Sequence, residues 1–378
     1  MRTLAAAVVL TALLASQVVP AAQKKNKKKD KEEEPPTQVL ELPKELPAAL
    51  SADTSRLVFH LSPLSAKGLL SQQSKDALKA LLKGTRGATI VKLRAFVAGT
   101  GDVRRVQTIV SEEFEAKRLA LPVLNVVQVG GLPLTGAQVV MESIAVDRKT
   151  VNPHGLAFIS GQAASSDEPT AAIGPLIQKA AQDLRAAVQA AAIEPADVLR
   201  VTCFLSSLDD VHAHRSRMAA DYPQAALNFV QTQRAPARAI AECEAVGRLR
   251  ASPARPLEML NPAGLPKSEF YSQISLVSAP KVVFTGGQLA FGFREQDARL
   301  AFERLGRTLH QAGASFDRLA MSSIYPLTGA IGNLARKVRT EFYDGANPPP
   351  STMLPFEGLP SLDASFAVEV VAVASDTP

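Results

Sequence analysis

Beyond residue 55 the apolar positions follow two rhythms, one of period two and one of period three to four. The rhythms alternate in the same order three times. The first segment, 56–147, predicts a strand over 57–61 and a helix over 69–82, with Leu70, Leu78 and Leu81 at helical spacing. A strand over 88–98 follows, with Val91, Leu93 and Ala95 alternating. A second helix over 102–116 puts Val103, Val106, Val110 and Phe114 on one face. Strands over 123–129 and 139–146 are expected to close the segment as a hairpin across Gly130-Gly131-Leu132-Pro133.

The second segment, 148–262, repeats this order: a strand at 156–160, a helix over 171–192, a strand over 198–205, a short helix over 211–222, the run 234–249, and a returning strand at 257–260. The third, 263–378, has strands opening at 270 and 281, a helix over 296–313, a strand over 319–327, a helix over 331–343 and a last strand over 366–373. Three units of about a hundred residues, each a sheet with both helices on one face, would leave three bare faces. Burying those faces against one another would satisfy them within one chain.

What precedes residue 56 reads differently. Arg2, the apolar run from Leu4 to Val19 and the small residues around Ala21 form a secretory signal pattern over 1–21, too short for a membrane span. A charged tether over 22–55 follows, basic then acidic and closed by Pro35-Pro36. The formal net charge is +6, and Arg2 with an excess of two lysines in that tether accounts for half of it. The remainder is too small to suggest a nucleic-acid face. An exported, periplasmic or extracellular, chain is the expectation. In that setting Cys203 and Cys243 either pair or stay as two buried thiols; sequence alone leaves both open.

Candidate chemistry is sparse. Arg238 follows the rigid Pro236-Ala237 step at the mouth of a strand-like run, where a guanidinium could offer a flat fork to a carboxylate; an ordinary surface ion pair is the plainer alternative. His212 and His214 stand two apart on a helix and point away from each other, so no metal site is expected. Thr285-Gly286-Gly287 lacks a phosphate-loop lysine, and no cofactor is expected.

Several pieces carry a resemblance: Phe158-Ile159-Ser160-Gly161-Gln162, the run from Asp197 to Leu205, Pro236-Ala237-Arg238, and Tyr271-Ser272-Gln273 with Gly286-Gly287-Gln288. In order and spacing they resemble the Rid (YjgF-like) family of reactive-intermediate deaminases. The resemblance implies an α+β fold of three chorismate-mutase-like units, packed here as an intramolecular pseudo-trimer, a monomer with no metal or organic cofactor. It also implies hydrolysis of 2-enamine or 2-imine acids to 2-keto acids and ammonium in clefts between units. The family arginine that grips the substrate carboxylate maps onto Arg238 in the second unit, and onto the uncharged Leu124 and Thr352 in the others. The water-placing glutamate maps onto Glu142, Glu258 and Glu369, with Glu244 competing against Glu258. Ser160 and Tyr271 map onto substrate-binding positions; Leu61 and Gly286 stand where the other units would carry that serine.

Two functions follow as expectations. In one, a small carboxylate-bearing molecule binds at a single cleft, with Arg238 and Glu258 catalysing imine hydrolysis. In the other, the chain is a structural or ligand-binding scaffold without turnover.

Overall fold

The computed structural model describes residues 43–99 and 101–375. The signal pattern and most of the tether lie outside these residues. Along the chain come β1 (Ala49–Asp53), β2 (Leu57–Leu61), α1 (Leu70–Gly84), β3 (Thr89–Ala98), α2 (Arg104–Ala116), β4 (Val123–Val129) and β5 (Val139–Val146). Next are β6 (Leu156–Ser166), α3 (Ile173–Ala190), β7 (Val198–Leu205), α4 (Val211–Asp221), β8 (Ala226–Gln231), β9 (Ala239–Arg248) and β10 (Leu257–Leu260). The last are β11 (Ile274–Val277), β12 (Lys281–Thr285), β13 (Gln288–Phe291), α5 (Glu295–Gln311), β14 (Leu319–Pro326), α6 (Gly329–Arg339), β15 (Ser351–Met353) and β16 (Ala364–Val373).

These strands form three sheets. The first runs β2-β5-β3-β4, the second β10-β11-β6-β9-β7-β8, and the third β1-β12-β16-β14-β15, with β13 also on β16. In each sheet the strand before the second helix and the strand after it pair in parallel: β3 with β4, β7 with β8, β14 with β15. The hairpin expected over 123–146 is therefore absent. β4 and β5 flank β3 on opposite sides, because β4 leaves α2 running the same way as β3.

Two strands leave the segment in which the sequence places them. β1, in the last stretch of the expected tether, pairs with β12 in the third sheet. β11, expected to open the third unit, lies between β6 and β10 in the second sheet. β10 is accordingly an edge strand, and β9 supplies the long central return. Both exchanges cover an edge that would otherwise offer unpaired backbone groups.

Strand alternation divides each sheet into two faces. One face meets a helix pair: α1 and α2 pack Leu78, Leu81, Ile109 and Phe114 on Leu93 and Met141. In the second sheet α3 sets Ile177 and Leu184 against Val201 and Phe229, and in the third α5 and α6 set Phe302, Leu305 and Val338 against Val368. The opposite faces meet one another. Phe59 and Ile144 of the first sheet share a core with Phe158 and Val246 of the second and Phe284 and Met321 of the third. Phe96, Phe204 and Tyr325, one from each sheet, contribute to a second shared core with Phe356. Cys203 and Cys243, opposite each other on β7 and β9, form a disulfide on the helix-facing side of the second sheet. No helix among the described residues is long and apolar enough to cross a membrane.

Candidate functional site

A carboxylate occupies the same register in every sheet. Glu142 of β5 stands opposite Arg94 of β3, Glu244 of β9 opposite Thr202 of β7, and Glu369 of β16 opposite Ser323 of β14. All three glutamates are buried where the sheets meet, and all are engaged. Arg94 donates through Nε and Nη2 to Glu142 Oε2, at 2.8 and 2.6 Å, and through Nη2 to Glu244 Oε1 at 2.7 Å. Arg200 Nη2 reaches Glu244 Oε1 at 3.0 Å, Lys92 pairs with Glu369, and the Tyr325 hydroxyl donates to Glu369 at 2.5 Å. Thr202 and Asn228 donate to Glu142 at 2.6 and 2.7 Å, and Thr352 to Glu244 at 2.7 Å. Burial alone would push the Glu142 and Glu369 carboxyls up. The cations beside them (Arg94 and Arg200 for Glu142, Lys92 and Arg94 for Glu369) outweigh it and hold both below the usual carboxylate range. Three acids and three bases are thus closed on one another.

The sequence-derived site residues are not brought together. Arg238 lies in the connection between β8 and β9, one residue ahead of β9, and is exposed. Its Nη2 donates to Ser165 Oγ and lies 3.6 Å from the fully exposed Asp167. The strand of the second sheet that matches those carrying Leu124 and Thr352 is β8, which begins Ala226-Leu227-Asn228 without an arginine. Pro236-Ala237-Arg238 instead belongs to the loop that follows β8. Glu258 sits on edge strand β10, where it accepts the Arg255 backbone N–H at 2.7 Å. By register the second sheet's last-strand glutamate is Glu244. Ser160 is fully buried; its hydroxyl donates to Gln273 Oε1 at 3.1 Å, and Gln162 donates to the same oxygen at 2.7 Å. These bonds tie the β6 bulge to the segment carrying Tyr271.

Tyr271 does line a crevice, of about 270 Å³, between the second and third sheets. Its walls include Gly161, Ala163 and Glu242 on one side and Tyr271, Arg336 and Arg339 on the other. Arg336 and Arg339 are three apart on the last turns of α6, so they share one side of the helix. Their partners there are neutral. Arg339 is 2% exposed and donates to Ser351 Oγ at 2.9 Å and to the Phe270 carbonyl at 3.0 Å. No carboxylate acts on it, and burial lowers its pKa, although a guanidinium stays charged regardless. Arg336 bonds to Asn333 Oδ1 at 2.7 Å and lies over the Phe270 ring.

Glu242 faces them. It is 7% exposed, and neither an arginine nor a hydrogen bond acts to hold its charge. Burial first, and then the neighbouring Glu244, push its carboxyl up to about 8. Its Oε1 sits over Gly161 so closely that a Cβ on that residue would lie 1.8 Å away. The bulge in β6 and the missing side chain at 161 together make room for it. At neutral pH the crevice therefore holds two guanidinium charges and a carboxyl that is mostly protonated.

Glu242, Arg336 and Arg339 were not singled out in the sequence. Glu242 does stand two residues before Glu244, on the same strand face, which is the one local signal available.

A scan of protein-family models and a search of curated proteins found no match to this chain. Solved structures similar to part of it include YyfB of Yersinia pestis, of the conserved Rid protein family. It is 19% identical, covers 32% of this chain and 99% of its own, and has a TM-score of 0.29. Rv2704 of Mycobacterium tuberculosis, of the YjgF/YER057c/UK114 family, is 22% identical over 31% of this chain and 99% of its own, with a TM-score of 0.23. Escherichia coli TdcF with bound serine is 24% identical over 25% of this chain and 81% of its own, with a TM-score of 0.22.

Proposed function

We propose that the chain binds a small carboxylate-bearing molecule in the crevice between its second and third sheets, gripped by Arg339 and Arg336 beside Tyr271. The observation that carries this reading is a buried guanidinium, Arg339, that lines an open crevice without an acid partner. A buried charge is costly unless paired, and an anionic ligand would supply the missing partner through charge-assisted hydrogen bonds. Titrating the purified chain with pyruvate by calorimetry tests it. Saturable one-to-one binding is expected, lost in Arg339→Gln; retained affinity in that variant would overturn the assignment.

Turnover is the second question. Rid-type hydrolysis of a 2-imine acid needs a carboxylate free to hold a water. Glu142, Glu244 and Glu369 are each tied to internal cations or hydroxyls, and Glu242, the unpaired acid in the crevice itself, is held protonated by burial and by Glu244, which together favour binding without hydrolysis. Ammonium release from freshly generated 2-iminopropionate no faster than in buffer is the expected result. A rate above buffer that depends on Arg339 would establish a deaminase.

The same reading takes the three sheets as Rid-like units closed into a ring by one chain, functioning as a monomer. Support comes from the repeated strand order and the matching register of the three glutamates. It also takes the chain as exported; the amino-terminal pattern and the Cys203–Cys243 disulfide support that. Fractionation of producing cells and amino-terminal sequencing would test it, and a cytoplasmic protein retaining Met1 would overturn it.

A further inference from the structure

Glu242 is the crevice acid whose environment is set against its usual charged state. Its carboxyl lies over the bare backbone of Gly161, away from bulk water, and no donor holds it. The titratable and charged groups around it are few. Glu244 is on its own strand, Tyr271 comes from the segment leading into β11, and Arg336 and Arg339 project from α6 across the crevice. Tyr271 is itself raised by burial and by Glu242, and the arginines do not titrate. Glu242 is thus the group in this set whose charge can change over ordinary pH.

We infer that Glu242 works as a neutral carboxylic acid in the crevice, donating a hydrogen bond to the ligand whose carboxylate the two arginines hold, so that losing its proton expels the ligand. The inference rests on the binding reading above and adds a requirement to it. The ligand carries a hydrogen-bond acceptor, such as an oxo oxygen, beyond its carboxylate. An ionised Glu242 cannot donate to that acceptor, and it places a second negative charge in the crevice beside the ligand's own. Binding and protonation are therefore linked: the ligand prefers the protonated form, and the anion in turn makes that proton harder to remove.

The test is the pH profile of pyruvate affinity for the full chain and for Glu242→Gln, which keeps the shape and a donor but cannot ionise. Wild-type affinity is expected to be flat between about pH 6 and 7.5, then to fall toward about tenfold per pH unit above pH 8, with proton uptake on binding in that range. The glutamine variant is expected to bind pyruvate with an affinity that stays flat from about pH 6 to pH 9.5, whatever its level relative to wild type. Near-ultraviolet circular dichroism over the same range checks that the fold persists. A flat wild-type profile, a variant that falls in parallel with wild type, or a variant that binds nothing at pH 7 would each overturn the role of Glu242. Failure of wild type to bind pyruvate at any pH would instead remove the crevice reading, and this inference with it.

Discussion

At the scale of single residues, Gly161 and Arg339 serve binding more than stability. Any side chain at 161 must push the Glu242 carboxyl aside, because its Cβ would fall 1.8 Å from Oε1. Gly161→Ala is therefore expected to weaken pyruvate binding at least tenfold, measured by calorimetry, even where thermal unfolding shows the fold retained. Arg339 is a buried cation bound only to a hydroxyl and a carbonyl. Replacing it by methionine removes a large desolvation cost and leaves two acceptors unpaired, so the change in stability is expected to stay within about 1 kcal/mol while binding disappears. Chemical denaturation read beside calorimetry checks both halves. Arg238→Ala should alter neither, since an exposed guanidinium paired with a serine and a fully exposed aspartate contributes little. Arg238 stood out in the sequence because a proline fixed the local backbone before it. Arg336 and Arg339 did not, because two arginines in the last turn of an amphipathic helix read as ordinary dipole partners.

At the scale of elements, periodicity carried most of the pattern and none of the pairing. Strands at 57–61, 123–129, 139–146 and 198–205 end where their alternation ends, and the helices follow their apolar stripes. Which strand lies beside which depends on contacts between distant stretches, so the parallel placement of β4, β8 and β15 was not legible, nor was the transfer of β1 and β11 between sheets. β8 was missed because its six residues run directly into the more conspicuous proline-bounded stretch. The crevice was hidden for the same reason: its walls come from 161–163, 242, 268–271, 336–339 and 351–353, with no local motif. Pairing also governs what holds the second sheet together. The Cys203–Cys243 bond closes a separation of 40 residues directly behind Glu242 and Glu244. A Cys203→Ala, Cys243→Ala double variant is expected to lose about 2–4 kcal/mol on denaturant unfolding, chiefly through the freer unfolded chain. An unchanged midpoint would show that the bond does not form in the protein as isolated.

At the scale of the whole molecule, the junction of the sheets and the crevice pull stability in opposite directions with pH. Glu142 and Glu369 are held below their ordinary values by buried cations. Their contribution is present above the unfolded carboxylate value and is lost as pH falls through their lower folded values, so the junction favours neutral over acidic conditions. Glu242 has the reverse sign. Its folded value of about 8 lies above the unfolded value near 4.5, so the folded chain binds a proton that the unfolded chain has released. That contribution is whole below about pH 4.5 and is progressively lost as pH rises to 8, a loss on the order of a few kcal/mol for a shift of this size. Subtracting one profile from the other isolates the crevice term, because Glu242→Gln leaves the junction cations and their partners in place. The stability of Glu242→Gln relative to wild type, from denaturant unfolding at a series of pH values, is expected to be smallest near pH 4.5. It should then climb steadily in favour of the variant and level off above pH 8. A difference that stays constant across that range would mean that Glu242 ionises normally in the folded chain, and that the crevice carries a full negative charge opposite its two arginines.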